Sequence, residues 1–366
     1  MIRRRYALSV LFVLFVVAPF SAEEKKDDGF VPMFNGKDLT GWVNVNCAPG
    51  TFFVKDGLVI TTGKPTGYLR TAKQYENFIA DFEWMHVPPT PEAVGNSGFF
   101  VWCDPLPAVG TGYTRGIEVQ VLVNLTYTDK KSGKVTASSH GDLFSIHGAT
   151  CVPERPHPTG AARCIPSENR AKGANEWNHY IVEANDGVIK LSVNGKVVSS
   201  VSKCSPRKGY LALESEGSEC RFRNLKIKEL PSTNPKPEEI AKVDEGHRSL
   251  FTGLDLAGWK GEKSVWRAAD GVLRSTGKGE LTTEATFKDC ELIFDWKVPL
   301  VKDLAQVTAD YDYHFKIGGE EFARTGKSGV WNRAVVKTKK GGGAIVMPTV
   351  GERIEIRSVF VRELKK

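Results

Sequence analysis

The stretch from Gly116 to Asn124 reads GIEVQVLVN. Side chains on a strand alternate between its two faces. Ile117, Val119, Val121 and Val123 therefore form an apolar row, while Glu118, Gln120, Leu122 and Asn124 project the other way. A carboxylate and a carboxamide side by side on a rigid support can move a proton, accept from a hydroxyl or ligate a cation. Such a row can also be an exposed antiparallel face that is polar by default. The functional reading gains from its company, because Asn96 and Ser97 stand in GNSGFF and His140 and Asp142 in SSHGDLF.

Other candidates have a bland reading beside the chemical one. His140, Asp142 and His147 in HGDLFSIH could ligate a divalent metal together with Glu118, could transfer protons, or could be turn residues. Trp102 and Tyr113 could stack on the apolar face of a sugar ring or fill a core. Arg163, Glu168, Asn169 and Arg170 lie on a long excursion before WNHY, the kind of segment that often forms a binding loop. Glu118 is the only acid in its strand, which argues against a retaining glucanase with both carboxylates on one strand about 5 Å apart.

The elements that must position these groups read as strands. FIADFEW alternates, β-branched runs flank Asp186-Gly187 and Asn194-Gly195, and no sustained helical stripe follows the first residues. Many short strands between Gly-rich turns predict an all-β sandwich. The chain also repeats itself: FNGKDLTGW returns as FTGLDLAGW, FIADFEW as CELIFDW and FRNLKIKEL as IRSVFVREL. The expected organisation is a full unit at 30–230, an exposed linker at 231–246 and a reduced second unit at 247–366. The second unit lacks the block holding GNSGFF, GIEVQVLVN and SSHGDLF, so it is expected to pack against or space the first.

Residues 1–22 combine a basic start, a short apolar run and small residues, the composition of a secretory signal. An uncleaved anchor is the alternative, since Phe20 is bulky for a cleavage motif. The formal net charge of +7 is spread along the chain with no basic run interleaved with aromatics, so nucleic acid is not an expected partner. Export would place the protein in the periplasm or outside the cell, with no membrane span after cleavage. Oxidising surroundings suggest bridges Cys151–Cys164 and Cys204–Cys220 as hypotheses, with Cys290 buried and unpaired. No Cys-x-x-Cys pair supports zinc.

FNGKDLTGW, DGLVI, FIADFEW, NSGFF, EVQVL, NEWNHY, VNGK and FRNLKIKEL together resemble the 3-keto-disaccharide hydrolase domain family of exported bacterial proteins. The resemblance implies a concanavalin-like jelly-roll sandwich and a carbohydrate partner whose sugar carries a ketone at carbon 3. It implies proton abstraction at carbon 2, elimination of the aglycone and hydration. Glu118 then suits the base or a metal ligand, Gln120 and Asn96 hydroxyl or enolate contacts, and His140 the acid. Where many members carry Asp-His-Gly, this chain has Ser215, Glu216 and Gly217. That change either preserves acid-base work or ligation or marks lost activity, and it adds Glu214 and Glu216 to the candidates. A non-catalytic carbohydrate-binding or surface-attachment protein using the same face is the competing reading.

Overall fold

The computed structural model describes residues 28–90, 95–123, 141–158, 162–298, 309–338, 342–349 and 353–365. The leader reading and the candidates Asn124 and His140 lie outside them. Among the described residues the chain is all-β, with a single 3-10 turn at Pro237–Glu239 and every paired strand antiparallel to its neighbour. No helix among them is long and apolar enough to cross a membrane.

Residues up to Glu229 build a two-sheet jelly-roll sandwich. One sheet runs in the order Thr150–Pro153, Lys196–Ser205, Val188–Val193, Asn178–Asn185, Phe78–Val87, Glu219–Glu229, Leu58–Thr61, Phe52–Lys55. The facing sheet runs Arg163–Cys164, Leu143–Ile146, Gly116–Val123, Gly95–Cys103, Tyr210–Ser215, Gly67–Thr71, Trp42–Val45. Period-two alternation sends Phe78, Ala80, Phe82 and Trp84 inward to meet Phe99, Val101, Ile117, Val119, Val121 and Val123. Phe82 and Phe99 join the layers at 4.8 Å between ring centroids. Burying each such side chain stabilises the fold by about 1.5–3 kcal/mol.

Residues 248–363 form a second pair of sheets with its own core around Trp266, Phe294, Trp296, Tyr313 and Phe315. The FNGKDLTGW and FTGLDLAGW segments fold for one local reason. Asn35 Oδ1 accepts from the backbone of Lys37 and Asp38, and Thr252 Oγ1 accepts from that of Leu254 and Asp255, which closes a side-chain-capped turn. Each turn delivers an indole whose N–H donates to a carbonyl nine residues earlier, Trp42 to Met33 and Trp259 to Leu250.

The segment expected to be an exposed linker is stitched to the first sandwich. Thr233 N donates to Glu76, Ala241 N to Lys208 O and Lys242 N to Asp104, while Asp244 pairs with the buried Arg70 at 2.6 Å. Most of the segment is exposed as expected, and these bonds hold it against the sandwich surface. The units meet through a small apolar cluster in which Ile293 and Phe360 pack on Tyr68, Phe100, Tyr210 and Ala212.

All seven cysteines are free, which corrects both suggested bridges. Cys204 and Cys220 do not sit on neighbouring strands, because three strands separate Lys196–Ser205 from Glu219–Glu229 in the sheet. Cys151 and Cys164 lie near one another without bonding. Cys290 is buried and unpaired.

Candidate active site

Three glutamates converge on the face of the seven-stranded sheet turned away from the core. Glu118 projects from Gly116–Val123, Glu214 from the end of Tyr210–Ser215, and Glu216 follows immediately. The strand Gly95–Cys103 runs between them and presents Gly98 at the crossing. A Cβ on Gly98 would stand 2.9 Å from Oε1 of Glu118 and 2.9 Å from Oε2 of Glu214, so the two carboxyls share the space of the absent side chain. Glu118 and Gln120 are each only 6% exposed and Glu214 only 1%. A face that is polar by default would be wet; this one is buried.

Polar neighbours complete the cluster. Tyr113 Oη donates to Glu216 Oε1 at 2.7 Å, and Asn96 Nδ2 donates to Glu216 Oε2. Gln120 Nε2 donates to Asn96 Oδ1 at 2.7 Å. The Tyr113 ring stacks on His147 with centroids 5.9 Å apart. On the far side of Glu118, Arg163 is ion-paired with Asp142, which is fully buried.

Burial is the main electrostatic fact of this site. Desolvation first, then the Glu216 charge, raises Glu118 well above the ordinary carboxylate range, with Arg163 acting against the rise. Desolvation, Glu216 and Glu118 raise Glu214 in the same way. Oε2 of Glu214 is buried and meets no donor, and a proton on this carboxyl would let it donate to Glu216. Burial also raises Glu216, but the bonds from Tyr113, Glu214 and Asn96 oppose the shift. Burial and the surrounding carboxylates push the Tyr113 phenol up, so it stays a donor. Like charges this close cannot all ionise, and the environments rank Glu216 as the first to lose its proton.

A family profile described as a 3-keto-alpha-glucoside-1,2-lyase-like domain matches residues 29–228 and 246–345. The chain belongs to this family. No curated protein matches it. Among solved structures, the chain is similar to a candidate glycosyl hydrolase from Parabacteroides distasonis, at 24% identity and a TM-score of 0.43, over 57% of this chain and 97% of that one. It is similar to the carbohydrate binding module CBM66 from Bacillus subtilis at 12% identity and a TM-score of 0.33, over 52% and 96% of the two chains. A Bacillus licheniformis beta-glucanase matches at 13% identity and a TM-score of 0.32, over 56% and 100%.

Of the residues singled out from sequence, Glu118, Glu214, Glu216, Gln120, Asn96 and Tyr113 come together, with Asp142, Arg163 and His147 around them. Others do not join. Trp102 is fully buried in the core and donates its indole N–H to Glu76 O at 2.7 Å, so the core reading replaces the sugar-stacking one. Ser97 points inward by strand alternation, and its hydroxyl donates to the backbone of Glu214. Glu168 is engaged with Arg170 and Lys196 at the Val193–Lys196 turn of the other sheet, and the adjacent Asn169 is exposed. Gly98 was missed, though a glycine inside a strand is a signal of close approach.

The metal set expected from sequence does not assemble among the described residues. Asp142 is held by Arg163, His147 lies on Tyr113, and burial favours the neutral form of Glu118. A separate group, Glu245, His247 and Glu291, lies in a cleft of about 820 Å³ between the units. Arg362 contacts both of its carboxylates, which supplies their counter-charge.

Proposed function

We propose that this protein is an exported, carbohydrate-active enzyme that cleaves 3-keto-glycosides by elimination and hydration. The observation that carries the reading is the meeting of Glu118 and Glu214 across Gly98 with Glu216 beside them, in environments that favour different protonation states. An isolated Glu118 among amides and aromatics would have favoured a binding protein; Glu118 has two carboxyl neighbours.

A ketone at carbon 3 acidifies the carbon 2 hydrogen. Glu216, the carboxylate most stabilised by hydrogen bonds, takes that proton, and the C–H electron pair passes into the enolate formed with the ketone. Tyr113 and Asn96 orient the base, and Gln120 orients Asn96. The enolate electrons then form the C1–C2 double bond as the C1–O bond breaks. Glu118, kept protonated by burial, gives its proton to the departing oxygen. Water added across the double bond, with its hydroxyl on carbon 1 and its hydrogen on carbon 2, yields the free 3-keto sugar. The sequence alone suggested Glu118 as base; burial beside two other carboxyls suits it better to the acid.

The test is aglycone release from 3-keto-glucosides by the mature protein and by Glu216→Gln and Glu118→Gln. Loss of about 10²–10⁴-fold in kcat is expected for each. Saturable sugar binding with no release by the unmodified protein would favour the binding-module reading instead.

A further inference from the structure

We propose that the second unit is a positioning element of the catalytic site, with Arg357 and Asp295 holding the 104–115 loop so that the Tyr113 hydroxyl stays on Glu216. This rests on the site reading above. The loop joins the strands Gly95–Cys103 and Gly116–Val123 and carries Tyr113 near its end. It is closed on itself by Ala108 N to Tyr113 O at 2.8 Å and by Arg115 pairing with Asp104 at 2.9 Å.

The second unit grips the tip of this loop from several sides. Asp295, fully buried and held by Arg333 at 2.7 Å, accepts from Gly110 N at 2.9 Å. Arg357 donates to Gly110 O at 3.0 Å, and Arg333 to Pro107 O at 2.9 Å. Gly110 has φ +75, and a Cβ there would stand 2.5 Å from the Trp331 side chain, so the loop can approach only because the residue is glycine. With Ser358 Oγ donating to Thr111 O at 3.4 Å, four bonds to the backbone and one close contact fix a segment whose own sequence has no strand pattern.

Comparable residue types serve differently in the first unit. There Arg223 pairs with Glu83 and lies 3.9 Å over Trp177. In the second unit Asp295, Arg357 and Trp331 are turned onto a neighbour's loop. Burying the Arg357 guanidinium is costly, and its opposite charge in Asp295 offsets part of that cost. Interactions with backbone groups of the loop use it to set geometry rather than to touch substrate.

The test reads Glu216 directly. The charged and titratable groups around it are Glu118, Glu214 and Tyr113, with Arg163 and Asp142 beyond Glu118 and Arg357 beyond Tyr113. Carbon-13 labelling of glutamate carboxyls, with the Glu216 signal assigned by its loss in Glu216→Gln, gives its titration midpoint in the full-length protein. Arg357→Met should raise that midpoint by about 0.5 or more, Tyr113→Phe should do the same, and the double variant should add nothing further. Leu292→Ala, in the second unit's core, should lower Tm and leave the midpoint in place. Trp331→Leu, which removes the wall on Gly110, gives the same comparison should Arg357→Met fail to fold.

An unchanged midpoint in the loop-releasing variant, or shifts that add in the double variant, would overturn the proposal. Turnover of 3-keto-glucosides is read separately. A moved midpoint in a protein without turnover would reject the catalytic reading and retain the positioning one; turnover with an unmoved midpoint would do the reverse.

Discussion

Glu118 and Glu214 meet across Gly98, whose missing side chain is the space both carboxyls occupy. Gly98→Ala would push the two apart while leaving the strand backbone in place, since the atoms a Cβ would meet all belong to the Glu118 and Glu214 side chains. Activity should fall by about 10²-fold or more, because misplacement of reacting groups by an ångström has that effect. Far-UV circular dichroism and Tm should stay close to those of the parent. A collapse of Tm alongside activity would mean that Gly98 serves the fold instead.

Glu214 gives a stability prediction with a definite sign. Its folded-state pKa is raised above the ordinary value of 4.5, so between those two values the folded protein holds a proton that the unfolded chain releases. Stability from this group falls as pH rises through that window. Glu214→Gln should therefore melt higher than the parent at pH 8, with the difference closing towards pH 4.5. Thermal melts across pH check this; a variant that melts lower at every pH would contradict it.

His86 contributes with the opposite dependence. It is fully buried, and desolvation lowers its pKa from 6.5 to about 4, while Nε2–H can donate to Val121 O at 2.9 Å and Nδ1 can accept from Ser218. Its stabilising contribution is present above 6.5 and is lost as pH falls towards 4. His86→Gln should flatten the acid limb of the melting profile. An acid limb unchanged in that variant would assign the loss to other groups.

Much of the sandwich was legible because alternation is a local property. Every inward residue of GIEVQVLVN was assignable from period two alone, as were the inward positions of FIADFEW. The site was half legible. Glu118 and Gln120 announce themselves on one strand, but their pairing with Glu214 depends on strand order, which places Tyr210–Ser215 one strand beyond Gly95–Cys103. The same blindness to order suggested a Cys204–Cys220 bridge between strands that are not neighbours. Trp102 looked equally suited to a sugar or a core until its indole was found bonded to Glu76 inside the sandwich. The polar segment after Glu229 is exposed as its composition suggests, but its attachment through Asp244 to Arg70 depends on a tertiary neighbour that composition does not record.

The cysteines allow a simple chemical count. Thiol titration should find seven reactive groups on denaturation without reductant. In the native protein Cys151, which is only partly buried, should react well ahead of the six buried ones. Fewer than seven groups in the denatured protein would reveal a bridge.

The central claim is abstraction of the carbon 2 proton, and substrate deuterated at carbon 2 tests it most directly. Single-turnover aglycone release from protio and deuterio 3-keto-glucosides should differ by a primary isotope effect. Glu216→Gln should reduce release of both by about 10²-fold or more. Release at equal rates from the two substrates, undiminished in Glu216→Gln, would contradict proton abstraction by this residue and the mechanism built on it.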